Sequence, residues 1–335
     1  MPELTVAAGL ARGLIELAVS KGASLGELAR QSGIDPAYLQ DQDNRIPFVN
    51  YVALMRAGKE LCNDPALALH YGETNDMSEI SIVGLVANAA ETMMDVLVQL
   101  NRYGRLVVEF DGPKNRFQLS RRNTGLWIVD SRENPNDFPE LTESTLARMV
   151  CGPRRFGVAQ VANEVHFTHA APSYRAEYDR IFRAPVVFES DVNAVVMDEK
   201  WLAHRIANQP RYVFGILSEH ANALLESLEN SKSARGRVES LLMPILHTGD
   251  ASMEKIAAKM GLSRQTLFRR LKAEGTSFEK VLDELRCRLA LGYLGGKKVS
   301  VNETAYLVGF SDPATFSRAF KRWTGTSPRD ARGKG

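Results

Sequence analysis

The C-terminal third of the chain states one plan twice, and this repetition limits the possible folds more than any other feature. The segments IAAKMGLSRQTLFRRLKAEGTSF (256–278) and TAYLVGFSDPATFSRAFKRWTGTSP (304–328) align when one residue is inserted after the second serine. Each opens with a short apolar helical pattern and turns at a glycine, Gly261 or Gly309. An apolar residue and a serine follow (Leu262-Ser263, Phe310-Ser311), then a second helix that ends at Gly275 or Gly325. Leu267 thereby corresponds to Phe316, Arg269 to Arg318, Leu271 to Phe320 and Lys272 to Lys321. One helix-turn-helix rhythm arises easily; two in register constrain the whole region.

Local chemistry supports each unit. Ser263 and Asp312 are placed to cap the open N–H groups of the second helices, and Pro313 suits a first helical turn. Ser300 with Glu303 predicts a capping box for the helix before Gly309. Leu267 and Leu271 form one buried stripe, repeated by Phe316 and Phe320. Gln265 and Arg269 lie on another side of the first of these helices, as Ala314, Ser317 and Arg318 do on the second. Between the units SFEKVLDELRCRLALGYL (277–294) predicts a longer helix with Phe278, Val281, Leu282, Leu285, Leu289 and Tyr293 available for packing. Such a helix fixes the spacing of its neighbours. Two second helices about 34 Å apart would enter successive major-groove segments on one face of DNA.

Charge points the same way. From Arg237 onward 18 Lys and Arg stand against 10 Asp and Glu, a net of +8, whereas residues 1–236 carry −6. A basic third on an acidic body predicts a polyanion partner for that third alone, with a merely solubilising surface as the alternative.

Residues 1–236 are less explicit. Helices are expected at about 5–20, 25–33, 49–62, 66–72 and 80–102, with Asp35-Pro36 and Asp64-Pro65 as capped starts. The segments RLVVEFDG (105–112), RFQLSR (116–121) and GLWIVDS (125–131) read as strands, followed by a helix near 139–151. GVAQVANEVHFTH (157–169), PVVFES (185–190) and NAVVMDEKWL (193–202) have strand character around a helix near 172–182, and helices near 199–206 and 214–230 lead out. This mixture predicts an α+β domain over 1–230, a linker over 231–239 within the polar stretch ENSKSARGR, and an all-α domain over 240–332. SLGELARQSGIDPAYLQ (24–40) also has a helix-turn-helix rhythm, but its second half lacks Arg and Lys and reads as structural.

Several functions find no support. The three cysteines Cys62, Cys151 and Cys287 are far apart, which argues against a disulfide framework or cysteine-rich metal site and suits a reducing cytoplasm. No apolar run is long enough for a membrane span, and the N-terminus reads as a packed amphipathic helix. His166 and His169 in HFTH lack a completing ligand, so no metal is expected. No nucleotide-cofactor fingerprint or hydrolase motif occurs; neither a cofactor nor enzymatic activity is expected. Tyr174, Arg175, Glu177 and Tyr178 are candidates for a polar small-molecule site, or for a subunit contact.

Residues 240–332 resemble the paired helix-turn-helix DNA-binding domain of the AraC/XylS family of bacterial transcription regulators; GFSDPATFSRAFKRWTGTSP (309–328) is close to that family's signature. The body is similar to the ligand-sensing domain of a subgroup that includes ornithine-utilisation and mycobacterial virulence regulators. That similarity rests on IPFVNYVALMRAG (46–58), DPALALHYGE (64–73) and VHFTHAAPSYRAEYDRIFRAPVVFESDVNAVVMDEKWL (165–202). The resemblance implies that the second helix of each unit reads bases. The matching positions are Gln265, Phe268 and Arg269, then Pro313, Ala314, Ser317 and Arg318. Phe268 would touch a thymine methyl or pack inward. Arg269 and Arg318 are the strongest candidates for bidentate contact with guanine. Arg264, Arg270, Lys272, Lys321 and Arg322 are placed for phosphates, and Trp323 for packing on Leu307 or Phe310. The resemblance further implies a regulator, more often an activator than a repressor, with double-stranded DNA, a small-molecule effector, a second copy of itself and RNA polymerase as partners. An N-terminal domain that only dimerises is the alternative.

Overall fold

The computed structural model describes every residue except 1–3, 123–124, 158–159, 207–210, 250, 297–298 and 334–335. The chain separates into two units, Met1–Leu225 and Glu226–Gly335. The first is mixed α+β and the second is all-α.

The first unit begins with a strand where a helix is expected. β1 (Thr5–Ala7) precedes α1 (Ala8–Ser20) and pairs antiparallel with β2 (Arg45–Pro47), which lies between α2 (Leu25–Ser32) and α3 (Phe48–Leu61). Arg45 explains this: Nε donates to Thr5 Oγ1 at 3.0 Å, Nη2 to Thr5 O at 2.9 Å, and Nη1 to Leu106 O. Glu109 Oε2 accepts from the Thr5 amide and hydroxyl at 3.0 and 2.7 Å. The second half of the helix-turn-helix rhythm at 24–40 is a single 3-10 stretch, Pro36–Gln40, capped by Asp35.

α4 (Leu67–Thr74) starts just beyond Asp64-Pro65, and Asp64 Oδ1 accepts from Ala66 N. The long helix expected over 80–102 is three pieces. α5 (Met77–Ile80) stops at the extended Ser81, α6 (Ile82–Asn88) ends at Ala89, and α7 (Met93–Val107) restarts with a Thr92–Asp95 capping box. RLVVEFDG is therefore not a strand. Its first three residues finish α7, and Val108 makes only an isolated bridge to Val6. A β-branched run has been carried in the last turn of a helix whose start was fixed a dozen or so residues earlier.

β3 (Phe117–Arg122) and β4 (Gly125–Asp130) form a hairpin, and α8 (Pro139–Cys151) follows. Of GVAQVANEVHFTH only β5 (Glu164–His166) is strand; positions 158–159 lie outside the described residues. α9 (Arg175–Phe182), β6 (Val186–Val187) and β7 (Asn193–Met197) complete a five-stranded sheet of order β3-β4-β7-β5-β6, antiparallel except for β5 with β6. Its core is apolar, with Val165, Phe167, Tyr178, Phe182 and Val195 at most 1% exposed. α8 lies directly on α4, because a Cβ at Gly72 would sit 2.4 Å from Ser144 O. Glu199–Ala203 is a 3-10 stretch, and α10 (Arg211–Lys232) runs through the division between the units.

The segment expected as a linker over 231–239 is helical instead. It holds the end of α10, the cap Ser233, and most of α11 (Ala234–Leu242). Ala234, Val238 and Leu242 are buried in the core of the second unit. Glu274 Oε1 and Oε2 accept from the amides of Ala234 and Arg235 at 2.7 and 3.0 Å, satisfying the first turn of α11. A cation-rich, small-residue stretch reads as linker, but its partners come from far along the chain.

The rest of the second unit follows the sequence closely: α12 (Met253–Lys259), α13 (Arg264–Ala273), α14 (Phe278–Gly295), α15 (Val301–Leu307), α16 (Pro313–Thr324) and α17 (Pro328–Gly333). Ser263 caps α13 through Thr266 N, Asp312 caps α16 through Ala314 N and Thr315 N, and Ser300 with Glu303 forms a capping box on α15. Leu267, Leu271, Phe316 and Phe320 are all buried, as are Phe278, Val281 and Leu285 of α14. Tyr293 is instead 37% exposed.

Candidate nucleic-acid interface and ligand pocket

The turns that aim α13 and α16 are built differently. Gly261, between α12 and α13, has φ +67° and open space where a Cβ would stand. Gly309, between α15 and α16, has φ +81°, and a Cβ there would be 2.1 Å from Leu246 O. The second turn is also gripped from α14. Arg286 Nε donates to Val308 O at 3.1 Å and Nη2 to Gly309 O at 3.2 Å, while the guanidinium lies 4.7 Å from the Phe310 ring centre. Burial lowers the pKa of Arg286 from its ordinary value. Phe310 also packs edge-on to Phe316 and, at 6.0 Å, against Trp323, the partner expected for that tryptophan.

With their apolar stripes fixed inward, both helices turn cations outward. Gln265, Phe268, Arg269, Arg270 and Lys272 of α13 are all exposed, and among the described residues none of these side chains has a hydrogen bond or ion pair. Phe268 is 52% exposed, which excludes the inward-packed alternative. On α16, Ala314, Arg318, Lys321 and Arg322 are exposed, and Pro313 and Ser317 are half-buried. Arg318 Nη2 donates to its own helix, at Thr315 Oγ1 (3.0 Å). The Ser317 hydroxyl donates to Pro313 O at 2.8 Å. Arg264 pairs with Glu254 and Arg322 with Asp283 at 2.6 and 2.9 Å, both on the surface where such pairs exchange readily for a phosphate.

The four N-terminal candidates fall into two groups. Tyr174 and Tyr178 both donate to Oε1 of Glu143, a carboxyl whose pKa is raised by burial against those hydrogen bonds. Glu177 instead faces His70 Nε2 at 2.9 Å and Arg180 Nε at 2.8 Å, and Arg175 is exposed, 4.0 Å from Asp179. None of the four lines the apolar cavity of this unit.

That cavity, about 200 Å³ and partly open to solvent, is walled by the interior faces of α7 and α8 and by β3, β4 and β7. Leu97, Leu100, Val107, Phe117, Ile128 and Met197 supply most of its surface, with Trp201 and Ile206 at one side. Polar groups are few. Asn75, Ser144 and Arg148 contribute one corner, with the Arg148 guanidinium 5.4 Å from the Tyr71 ring centre. Thr145 and Arg116 contribute another. Arg116 is engaged there, donating to Asp130 Oδ1 and Oδ2 at 2.9 and 2.8 Å and to Thr145 Oγ1 at 3.2 Å. No single segment of sequence signals this pocket. The one local hint is α8, where Ser144, Thr145 and Arg148 interrupt the apolar face at helical spacing.

Among the described residues no helix is long and apolar enough to cross a membrane, and no group of three or more His, Cys, Asp or Glu is placed to hold a metal ion. His166 is occupied by Glu164 and Ser190 at 2.9 and 3.1 Å.

Comparison with known proteins adds to this geometry. The family profile described as the arabinose-binding domain of AraC transcription regulator, N-terminal, matches residues 22–206, and a helix-turn-helix domain profile matches 256–334. The ornithine utilization regulator of Pseudomonas aeruginosa is 26% identical over 96% of this chain and 94% of its own. The transcriptional regulator VirS of Mycobacterium tuberculosis is 25% identical over 96% and 95%. The crystal structure of the transcriptional regulator CdpR from Pseudomonas aeruginosa aligns with 79% of this chain and 86% of its own at 23% identity and a TM-score of 0.37, too loose a likeness to carry weight.

Proposed function

The chain belongs to the AraC family of helix-turn-helix transcription regulators, and from that premise we propose how it acts. α12–α13 and α15–α16 work as two helix-turn-helix units held by α14, with α13 and α16 each lying in a major groove. Arg269 and Arg318 read bases, each bidentate to a guanine; Gln265, Phe268 and Ser317 add contacts, Phe268 to a thymine methyl. Pro313 and Ala314 allow close approach to the groove floor. Arg264, Arg270, Lys272, Lys321 and Arg322 bind phosphates. The observation that carries this reading is the matched pair of exposed arginines at equivalent positions of two helices whose other faces are locked into one core.

The N-terminal unit senses a small effector in the cavity bounded by α7, α8 and the sheet, rather than around Tyr174 and Tyr178, whose hydroxyls serve a buried carboxylate. The effector acts by binding better to the DNA-competent state than to the incompetent one, since a ligand shifts an equilibrium only through differential affinity. The protein works as a homodimer in the cytoplasm, activates transcription through contact with RNA polymerase, and catalyses no reaction.

Selection of genomic fragments by the purified full chain, followed by salt-titrated affinities, tests the DNA reading. A defined motif is expected. R269A and R318A should each lose discrimination by about 1–3 kcal/mol at separate sets of bases. Binding with no enriched motif, or a motif untouched by either substitution, refutes the assignment.

A further inference from the structure

Most polar groups around the cavity of the N-terminal unit are already engaged, and this decides what the cavity can hold. Arg116 donates to both carboxylate oxygens of Asp130 and to Thr145 Oγ1. The Ser144 hydroxyl donates to Leu141 O of its own helix at 3.3 Å. The Arg148 guanidinium lies beside the Tyr71 ring and holds a further interaction. Asp76 Oδ1 accepts from the Ser78 amide and hydroxyl at 2.9 and 2.7 Å, and Asp76 also holds a further interaction. Asn88 and His204 keep contact with solvent, His204 with its ring centre 4.9 Å from that of Trp201. Between these groups the wall is hydrocarbon, chiefly Leu97, Leu100, Val107, Phe117, Ile128 and Met197.

Asn75 differs from the rest. Its amide nitrogen is turned to α1, where a Cβ on Gly13 would be 2.4 Å from Nδ2. Its Oδ1 is buried without a hydrogen-bond partner. An amide oxygen only accepts, so it suits a hydroxyl or an N–H and opposes a carboxylate. Charged and many-hydroxyl ligands are disfavoured together. A carboxylate would leave water for a wall whose guanidiniums and hydroxyls are already held. A dibasic amino acid would bring its cations to a wall that contains two guanidiniums. A pentose would strand most of its hydroxyls against hydrocarbon.

We infer that the effector is a small neutral molecule with a hydrocarbon body, one ring with a short arm or an alkyl chain of similar bulk, carrying no more than one hydroxyl. Its body lies among Leu97, Leu100, Phe117 and Ile128. The inference rests on the reading of the N-terminal unit as a sensor and specifies what it senses. Size agrees. An apolar cavity of about 150 Å³ accepts benzene, so one of about 200 Å³ accepts a single ring with a short arm. Affinity then comes from removing hydrocarbon from water, which grows with each methylene buried and gives a negative heat-capacity change.

The test uses the full chain at neutral pH with toluene, ethylbenzene and benzyl alcohol as neutral probes, and benzoate, L-arabinose and L-ornithine as the excluded classes. Binding is read by calorimetry and by the shift in thermal unfolding. The neutral probes should bind with a negative heat-capacity change, and ethylbenzene should bind about fourfold more tightly than toluene, the factor for one buried methylene. Benzoate should bind at least about tenfold more weakly than benzyl alcohol, because its charge must be desolvated. Val96→Trp and Leu100→Trp, which fill the chamber, should abolish binding, and unfolding curves without ligand identify which variants remain folded. If neither folds, the methylene increment and the alcohol-to-acid ratio on the unaltered chain decide the point alone. Benzoate as tight as benzyl alcohol, or no binding by any neutral probe, overturns the inference. Binding of benzoate, L-arabinose or L-ornithine that a folded tryptophan variant blocks, with the neutral probes silent, overturns the neutral class and leaves the sensing role standing. If no probe binds and the folded tryptophan variants regulate a reporter as the unaltered chain does, the sensing role falls as well.

Discussion

Arg286 makes a quantitative test of how the second turn is held. It is not on α13 or α16, yet its two hydrogen bonds go to consecutive carbonyls of the Val308–Gly309 turn that aims α16. A hydrogen bond from a charged donor contributes about 1.5–3 kcal/mol when shielded. The Arg286 side chain is half-buried, so the pair together is worth about 2–3 kcal/mol rather than the full sum. Arg286→Met keeps the hydrocarbon stem against Phe310 and removes the two donors, leaving both carbonyls to water. Amide hydrogen exchange of the full chain, resolved by peptide, is the assay. Amides of α16 and the turn before it should exchange about 30- to 140-fold faster, the factor that 2–3 kcal/mol implies at 1.4 kcal/mol per tenfold. Those of α12 and α13 should change little. Arg286→Lys retains charge but not the fork and should fall between. Equal acceleration in α13 and α16, or none in either, would refute the idea that Arg286 acts locally on the second turn.

Three further outcomes follow from the same geometry. Gly309→Ala should cost the second unit more than about 2 kcal/mol in denaturant unfolding, because positive φ and a clash with Leu246 O combine there; Gly261→Ala, where φ is also positive but a Cβ meets open space, should cost only about 1 kcal/mol. Phe316→Ala should destabilise by about 3–5 kcal/mol, whereas Phe268→Ala should stay within about 0.5 kcal/mol and alter only DNA binding. Burial opposes the charge on Asp130, but the Arg116 and Arg132 guanidiniums hold its pKa below the ordinary carboxylate value. Its contribution is therefore present above about pH 4 and lost as pH falls through the lowered native value. Acid unfolding of the N-terminal unit should show that loss below pH 4, and Asp130→Asn should flatten it.

The second unit was readable because its determinants are local. Ser263, Ser300 and Asp312 each cap a helix within three residues, and the leucine and phenylalanine stripes repeat within a single turn. Helix ends there fall within about a residue of expectation, in the range where assignments themselves differ. The first unit was harder wherever a partner is remote. β1 exists because Arg45 and Glu109 supply its polar contacts, 40 and 104 residues away. Arg105–Val107 looks like strand by composition and is helix because the Thr92–Asp95 box set α7 going. Asp64, read as a helix cap, also spends its other oxygen on Lys21 and His70. The cavity is assembled from residues as distant as Leu10 and Ile206. Tyr174 and Tyr178 are polar candidates in the sequence, but their hydroxyls face a buried glutamate. Polar residues near one another in sequence mark a site only if the fold leaves them an empty space to face.

The position of α11 decides how the DNA-binding part can be cut free. A fragment starting at residue 240, as composition suggests, would discard Ala234 and Val238 from its core and leave Glu274 with no helix start to cap. Gly236 lies so close to Asn230 that a Cβ would be 1.8 Å from the Asn230 carbonyl oxygen, so the preceding residues are packed against the same helix. An autonomous fragment therefore begins at Glu226, where the second unit begins. A chimaera that grafts this DNA-binding part onto a foreign sensor should be spliced there, within a continuous helix, and not in the polar stretch that follows it.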